Sequence, residues 1–265
     1  MDKTTIIMED TNVGFCNDSF EKEKVSNLIS KYVINLPVDG IEKIYEHFIS
    51  QFEKDNVYSN TLVHPAEKIK FPFEILPDWE LFGIDFPSWF GNYSNKKIMV
   101  IGIDPLRNIK TFENYGAKKD SEVIIGTPYA LHDKKMRVGK TKLYWDFVNR
   151  LSKQNFVYLT DIYKIYFNWF NRKTKSNSHF EKHEKKSGYS LLKEEINIIG
   201  PDYIVAFGKI AQYVSKQIAE SINVKIIEIP HPSARPKDWQ PHISVPTNEN
   251  KLNYMVDKTN QVLIN

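Results

Sequence analysis

Four apolar runs in this chain end in residues that can do chemistry. Ile229-Pro230-His231-Pro232-Ser233-Ala234-Arg235-Pro236 closes the β-branched run 224–229. Proline fixes its own φ and has no amide donor, so this loop is stiff and cannot prolong a strand. The run 97–103 breaks at Gly102 and delivers Asp104 and Pro105. The run 156–161 ends in Asp161, and the run 203–207 turns at Gly208 into a helix. Taken alone, the proline-rich loop is equally an ordinary turn. Taken together, these stops put a carboxylate, an imidazole and a hydroxyl at the C-terminal ends of strands, where open α/β sheets bind ligands.

The elements that must position these residues follow from periodicity. Ser19 can cap a helix over 20–34, with Val25, Leu28, Ile29 and Tyr32 on one face. Pro37-Val38-Asp39-Gly40 reads as a turn. A second helix over 41–54 carries the stripe Ile44, Tyr45, Phe48, Ile49 and Phe52, which reads as packing. Residues 57–95 are rich in Pro, Trp and Phe and read as an irregular segment laid on the domain; any aromatic exposed there could stack bases. Residues 107–135 read as a long loop holding Gly126-Thr127-Pro128-Tyr129. Helices are expected over 140–153, 190–199, 210–221 and 250–263. Between the second strand and the 190–199 helix, the basic segment 164–186 reads as solvated loop or as a DNA-backbone contact. Strands alternating with helices at this spacing predict an α/β fold of three layers, a central mostly parallel sheet with helices on both faces.

Composition narrows the class. At 265 residues, one α/β domain with an N-terminal extension is expected. The formal charge of +3 does not by itself mark a nucleic-acid binder. The single cysteine, Cys16, excludes a disulfide framework and any all-cysteine metal or iron–sulfur site. No apolar run reaches membrane-span length, and residues 1–18 lack the pattern of a signal peptide, so a cytoplasmic protein is expected. Two metal or nucleotide motifs fail on inspection. Gly139-Lys140-Thr141 lacks the P-loop glycine, since position 134 is lysine, and no strand precedes it. His179 and His183 are four apart, but Phe180 stands where a zincin needs glutamate.

Gly102-Ile103-Asp104-Pro105 and His231-Pro232-Ser233, with the helix, Pro-Asp, buried strand and Gly turn of 192–208, resemble the uracil-DNA glycosylase superfamily. The resemblance covers roughly residues 95–240. With the helical patterns before it, a helical extension over 1–56 and a glycosylase-like α/β domain over 57–265 are expected; the resemblance implies DNA as partner, and neither cofactor nor metal. It leaves the oligomeric state open. It implies a monofunctional enzyme that flips a base and hydrolyses its N-glycosidic bond. As the sugar gains oxocarbenium character and the base departs as an anion, a carboxylate orients water beside C1′ and a donor meets the base's carbonyl oxygen. Those roles carry over to Asp104 and His231. Gly102, Ile103 and Pro105 would shape the loop around the base, and Tyr129 would stack on it. Ser233 would hold a phosphate and Arg235 would enter the duplex. Lys164, Lys173 and Lys175 would meet the DNA backbone.

Two departures from the family pattern bear on the substrate. Leu106 stands where the family has an aromatic after Asp-Pro, which leaves the C5 side of the base more open. Asp161 stands where the family has an asparagine; a carboxylate offers acceptors only, which favours an exocyclic amine over O4 of uracil. Uracil by family default, or a cytosine-type and C5-modified base such as phage DNA contains, are therefore both expected targets. A non-catalytic nucleic-acid-binding module on the same fold is the alternative.

Overall fold

The computed structural model describes residues 14–54, 62–65, 68–69, 79–103, 115–118, 121–169 and 182–264. Its centre is a five-stranded sheet of β3 (Ser88–Phe90), β4 (Lys97–Gly102), β6 (Phe156–Asp161), β8 (Tyr203–Phe207) and β9 (Lys225–Ile229), in the order β3-β6-β4-β8-β9. Only β3 runs antiparallel within it. β4 and β6 are central and read as near-continuous apolar runs, because helices cover both faces of a parallel sheet. The three-layer α/β class expected from sequence is the class observed. Asp202 fixes the start of β8 against that of β4. Its Oδ2 accepts from the Lys97 amide at 2.7 Å, and its own amide donates to the Lys97 carbonyl.

The strands match their sequence limits closely, the helices less so. Asp18, not Ser19, caps α1 (Ser19–Tyr32), accepting from the Glu21 amide at 2.9 Å. The expected turn at 37–40 is instead the start of α2 (Val38–Glu53), with Pro37 at its N-cap. α3 (Lys134–Val138) and α4 (Lys142–Ser152) follow the first half of the sheet. The helix expected over 190–199 begins earlier, as α5 (Lys182–Ile199). α6 (Gly208–Ala219), the short α7 (Pro236–Trp239) and α8 (Asn248–Ile264) complete the chain. α6 packs on β4, β8 and β9, and α8 packs on α4. No described helix is long and apolar enough to cross a membrane.

A second sheet, absent from the sequence reading, joins β1 (Val63–Pro65), β5 (Glu122–Gly126), β2 (Trp79–Asp85) and β7 (Ile165–Trp169) in the order β1-β5-β2-β7. It corrects three expectations. Segment 57–95 is not simply irregular, 107–135 contains a strand, and 164–186 begins with another. Phe86, Trp89 and Phe90 are fully buried, so these aromatics pack rather than wait for bases; Phe71 and Phe73 lie outside the described residues. The helices α1 and α2 share the core of the α/β unit. Tyr45 donates to the Pro87 carbonyl at 2.9 Å, its ring meets Trp89, and Trp89 stacks on Tyr158 of β6.

Candidate active site

The chain leaves β4 for β6 on one side, while β8 leads to β9 on the other. The C-terminal ends of β4 and β8 therefore flank the point where strand order reverses, the crevice where such sheets bind ligands. Gly102 and Ile103 form one wall. Their carbonyls accept from the Ile162 amide at 3.2 Å and the Tyr163 amide at 3.0 Å, so the pairing with β6 continues past the strand end. That anchors the backbone one residue short of Asp104. Asp104, Pro105 and Leu106, with Lys173 and Lys175, lie outside the described residues.

Asp161 ends β6 directly opposite Gly102 and is 3% exposed. Its carboxylate closes over the Gly102 Cα so tightly that a side chain there would overlap Oδ1; the Tyr129 hydroxyl would lie 2.8 Å from the same methyl. Tyr129 arrives from the second sheet. β5 ends at Gly126, and a 3₁₀ turn, Pro128–Ala130, swings the ring toward β4. Tyr129 and Ala130 both take the left-handed conformation, at φ 57° and 52°. Each such residue costs on the order of 1 kcal/mol or more, so surrounding structure must hold the turn. The Ala130 amide donates to the Thr127 carbonyl at 2.7 Å, and Thr127 Oγ1 is bonded to His132 Nδ1 at 3.0 Å. The Tyr129 ring stacks on Tyr144 of α4 with centroids 3.8 Å apart and planes 18° apart. One face of the ring expected to stack on a base is thus already covered.

His231 follows β9 by two residues. The loop bends back on itself: the His231 carbonyl accepts from the Ala234 amide at 2.8 Å and from Trp239 Nε1 at 3.2 Å. Lys251 of α8 donates to the Pro232 carbonyl at 3.1 Å. Gly208, at φ 81°, lets the chain turn beneath the imidazole; a Cβ there would lie 3.2 Å from the His231 Cβ. The imidazole meets the edges of Tyr144 and Tyr129, with centroids 6.0 and 6.5 Å away. Burial lowers its pKa from 6.5 to about 4, so it is neutral near pH 7. Ser233 Oγ lies 2.9 Å from its Nδ1. Tyr144 completes the cluster. Burial raises its hydroxyl pKa; hydrogen bonds with the side chain and backbone of Ser233 lower it part way, and the Asp161 charge adds to the rise.

The structure thus gathers Gly102, Ile103, Tyr129, Asp161, His231 and Ser233 at one end of the sheet. Arg235 is on the surface beside them, loosely paired with Asp238 at 3.8 Å. Lys164 is a correction. Its ammonium is buried, bonded to Glu195 Oε2 and Thr160 Oγ1 at 2.6 Å each and to the Asp161 carbonyl, so no face remains for DNA phosphate. Sequence reasoning missed Tyr144. It sits in the stripe Tyr144, Phe147, Val148 and Leu151, whose spacing is that of any core-facing helix.

Among the described residues, no three His, Cys, Asp or Glu side chains form a group able to hold a metal ion. No curated protein sequence matches the chain. A family model, the uracil DNA glycosylase superfamily, matches residues 88–255. That span runs from β3 into α8 and includes every strand of the parallel sheet and the loop of His231. With well over half of its length so matched, and a site built at the strand ends that the match covers, this chain belongs to the uracil DNA glycosylase superfamily.

Proposed function

We propose that this protein flips a base from DNA and hydrolyses its N-glycosidic bond without forming a covalent intermediate. The observation that carries the reading is His231: half-buried, its pKa lowered by burial to about 4, and held just past the end of β9, with β8 alone between that strand and β4, which leads to Asp104. A neutral imidazole can donate a hydrogen bond to the carbonyl oxygen of a departing base, where negative charge grows. Asp104 orients a water toward C1′ and balances the positive charge on the sugar. The water oxygen bonds to C1′, the C1′–N bond breaks, and its electron pair leaves with the base. Gly102, Ile103 and Pro105 line the base, Tyr129 packs beside it, and Arg235 enters the space vacated in the duplex. Such a protein acts in the cytoplasm on DNA.

The base is uracil by family kinship or a cytosine-type base by local chemistry. The buried carboxylate of Asp161 beside Gly102 supports the second, because it accepts from an exocyclic amine and repels a carbonyl. Leu106 leaves room for a C5 substituent, which suits an enzyme directed at modified phage DNA. The test is incubation with oligonucleotides carrying uracil, cytosine or C5-modified cytosines, followed by alkali to cleave abasic sites. Asp104→Asn and His231→Ala should each slow single-turnover release by about 10²-fold, the scale of one acid–base or oxyanion contact. Wild-type protein that binds these oligonucleotides and releases no base would instead support a non-catalytic module.

A further inference from the structure

We infer that Lys251 is a positioning residue: from α8 it holds the loop of His231, together with Gln212 and Trp239, in one shape before DNA arrives. The purpose of this clamp rests on the glycosylase reading; the clamp itself does not.

The loop needs outside support because of its composition. Pairing between β8 and β9 ends at the partners Phe207 and Ile229, and Pro230, Pro232 and Pro236 have no amide to donate. Buried carbonyls past a strand end must still find donors. Three side chains from three helices supply them. Gln212 Nε2 of α6 donates to the Ile229 carbonyl at 2.8 Å. Trp239 Nε1 of α7 donates to the His231 carbonyl at 3.2 Å, and Lys251 Nζ of α8 to the Pro232 carbonyl at 3.1 Å. The three acceptors lie two residues before His231, on it, and one residue after it. The backbone that carries the imidazole is therefore tied on both sides.

Lys251 is the joint of the clamp. Its ammonium also stands 5.3 Å from the centroid of the Trp239 ring, so one cation supports two of the three ties. Fold stability does not account for it. Lysine is seldom buried without a paired acid, yet Lys251 is 8% exposed. Among the described residues, its ammonium meets a neutral carbonyl and a neutral ring. Burial lowers its pKa, as for any charge that costs free energy to hold inside. An apolar side chain of similar length would fill the same space without that cost. It could not donate to Pro232.

Lys251→Met keeps the length and removes the donor. Trp239→Phe keeps a ring beside the ammonium and removes the N–H. Lys251→Arg keeps a cationic donor. Relaxation-dispersion NMR on the His231 ring of the full-length protein reads the motion of the loop. The wild type should show no exchange, and Lys251→Met and Trp239→Phe should both show it. In both, single-turnover base release at saturating protein should slow by about tenfold or more, the scale for a misplaced group, with DNA affinity nearly unchanged. Lys251→Arg should recover most of the rate. Lys251→Met should melt close to the wild type; if it fails to fold, Trp239→Phe decides alone. A His231 ring without exchange in the folded variants overturns the clamp whatever the rate does. So does a rate that falls no further than the unfolded fraction explains. Exchange that appears as expected, in a protein whose wild type releases no base from any oligonucleotide, leaves the clamp standing and removes the glycosylase reading instead.

Discussion

The carboxylate of Asp161 occupies the space a side chain on Gly102 would need. The two residues are partners across the β4–β6 pairing, so neither can move without opening the sheet at its functional end. Gly102 is required here for room; its φ is ordinary.

Gly102→Ala should therefore cost activity by displacing Asp161 and the Tyr129 hydroxyl together. Base release should fall by at least about tenfold, the scale for misplacing groups in a built site. Asp161→Gly added to Gly102→Ala removes the closer of the two obstacles. Thermal stability of the double variant should exceed that of Gly102→Ala alone. A single variant that melts and turns over like wild type would show that the carboxylate swings aside freely.

Acid should weaken the fold through His231. Its pKa is about 4 when folded against 6.5 ordinarily, so between those values the unfolded chain binds the proton more readily. Stability from this group is complete above pH 6.5 and is lost as pH falls toward 4, by up to about 3 kcal/mol at about 1.4 kcal/mol per unit. Urea titrations at pH 7 and pH 4.5 should show a smaller loss for His231→Asn than for wild type. Equal losses would place the acid sensitivity elsewhere.

Lys164 and Glu195 form an ion pair with side chains 2% and 0% exposed. Glu195 also accepts from Tyr158 and Thr160 at 2.9 Å each. Glu195→Leu strands a buried ammonium and should destabilise by about 3–5 kcal/mol. Lys164→Met combined with Glu195→Gln removes both charges while leaving an acceptor for Tyr158 and Thr160, and should recover a large part of that loss in urea unfolding. In this double variant the slope of log DNA affinity against log salt should equal that of wild type. A slope smaller by roughly one would return Lys164 to the phosphate contacts.

Asp161→Asn restores a donor at the strand end without changing size. Release should shift from cytosine-type bases toward uracil by about 10²-fold or more, because a site that leaves a polar partner unpaired rejects its analogue strongly. Competition between uracil- and cytosine-containing oligonucleotides measures the ratio. A ratio identical in wild type and Asp161→Asn would show that Asp161 supports the strand end and does not read the base.

The sequence alone determined the parallel sheet and the residues Gly102, Asp161 and His231 at or just past its C-terminal strand ends. β4, β6 and β8 are apolar runs and β9 a β-branched one, with abrupt stops at Gly102, Asp161, Gly208 and Pro230, and a run of such residues and its stop are both local signals. Tertiary structure decided what lies around that edge. β5 and β7 are short, so pairing makes them strands: β5 with β1 and β2, and β7 with β2. Lys164 looked like one more surface lysine because Glu195, which takes it inside, is 31 residues away. Tyr129, left-handed in backbone, stacks on a ring that comes from α4, and Tyr144 shares its spacing with ordinary core residues. Strand ends are encoded by what stands next in the chain. The polarity of a site is set by groups far apart in sequence, brought into contact only by folding.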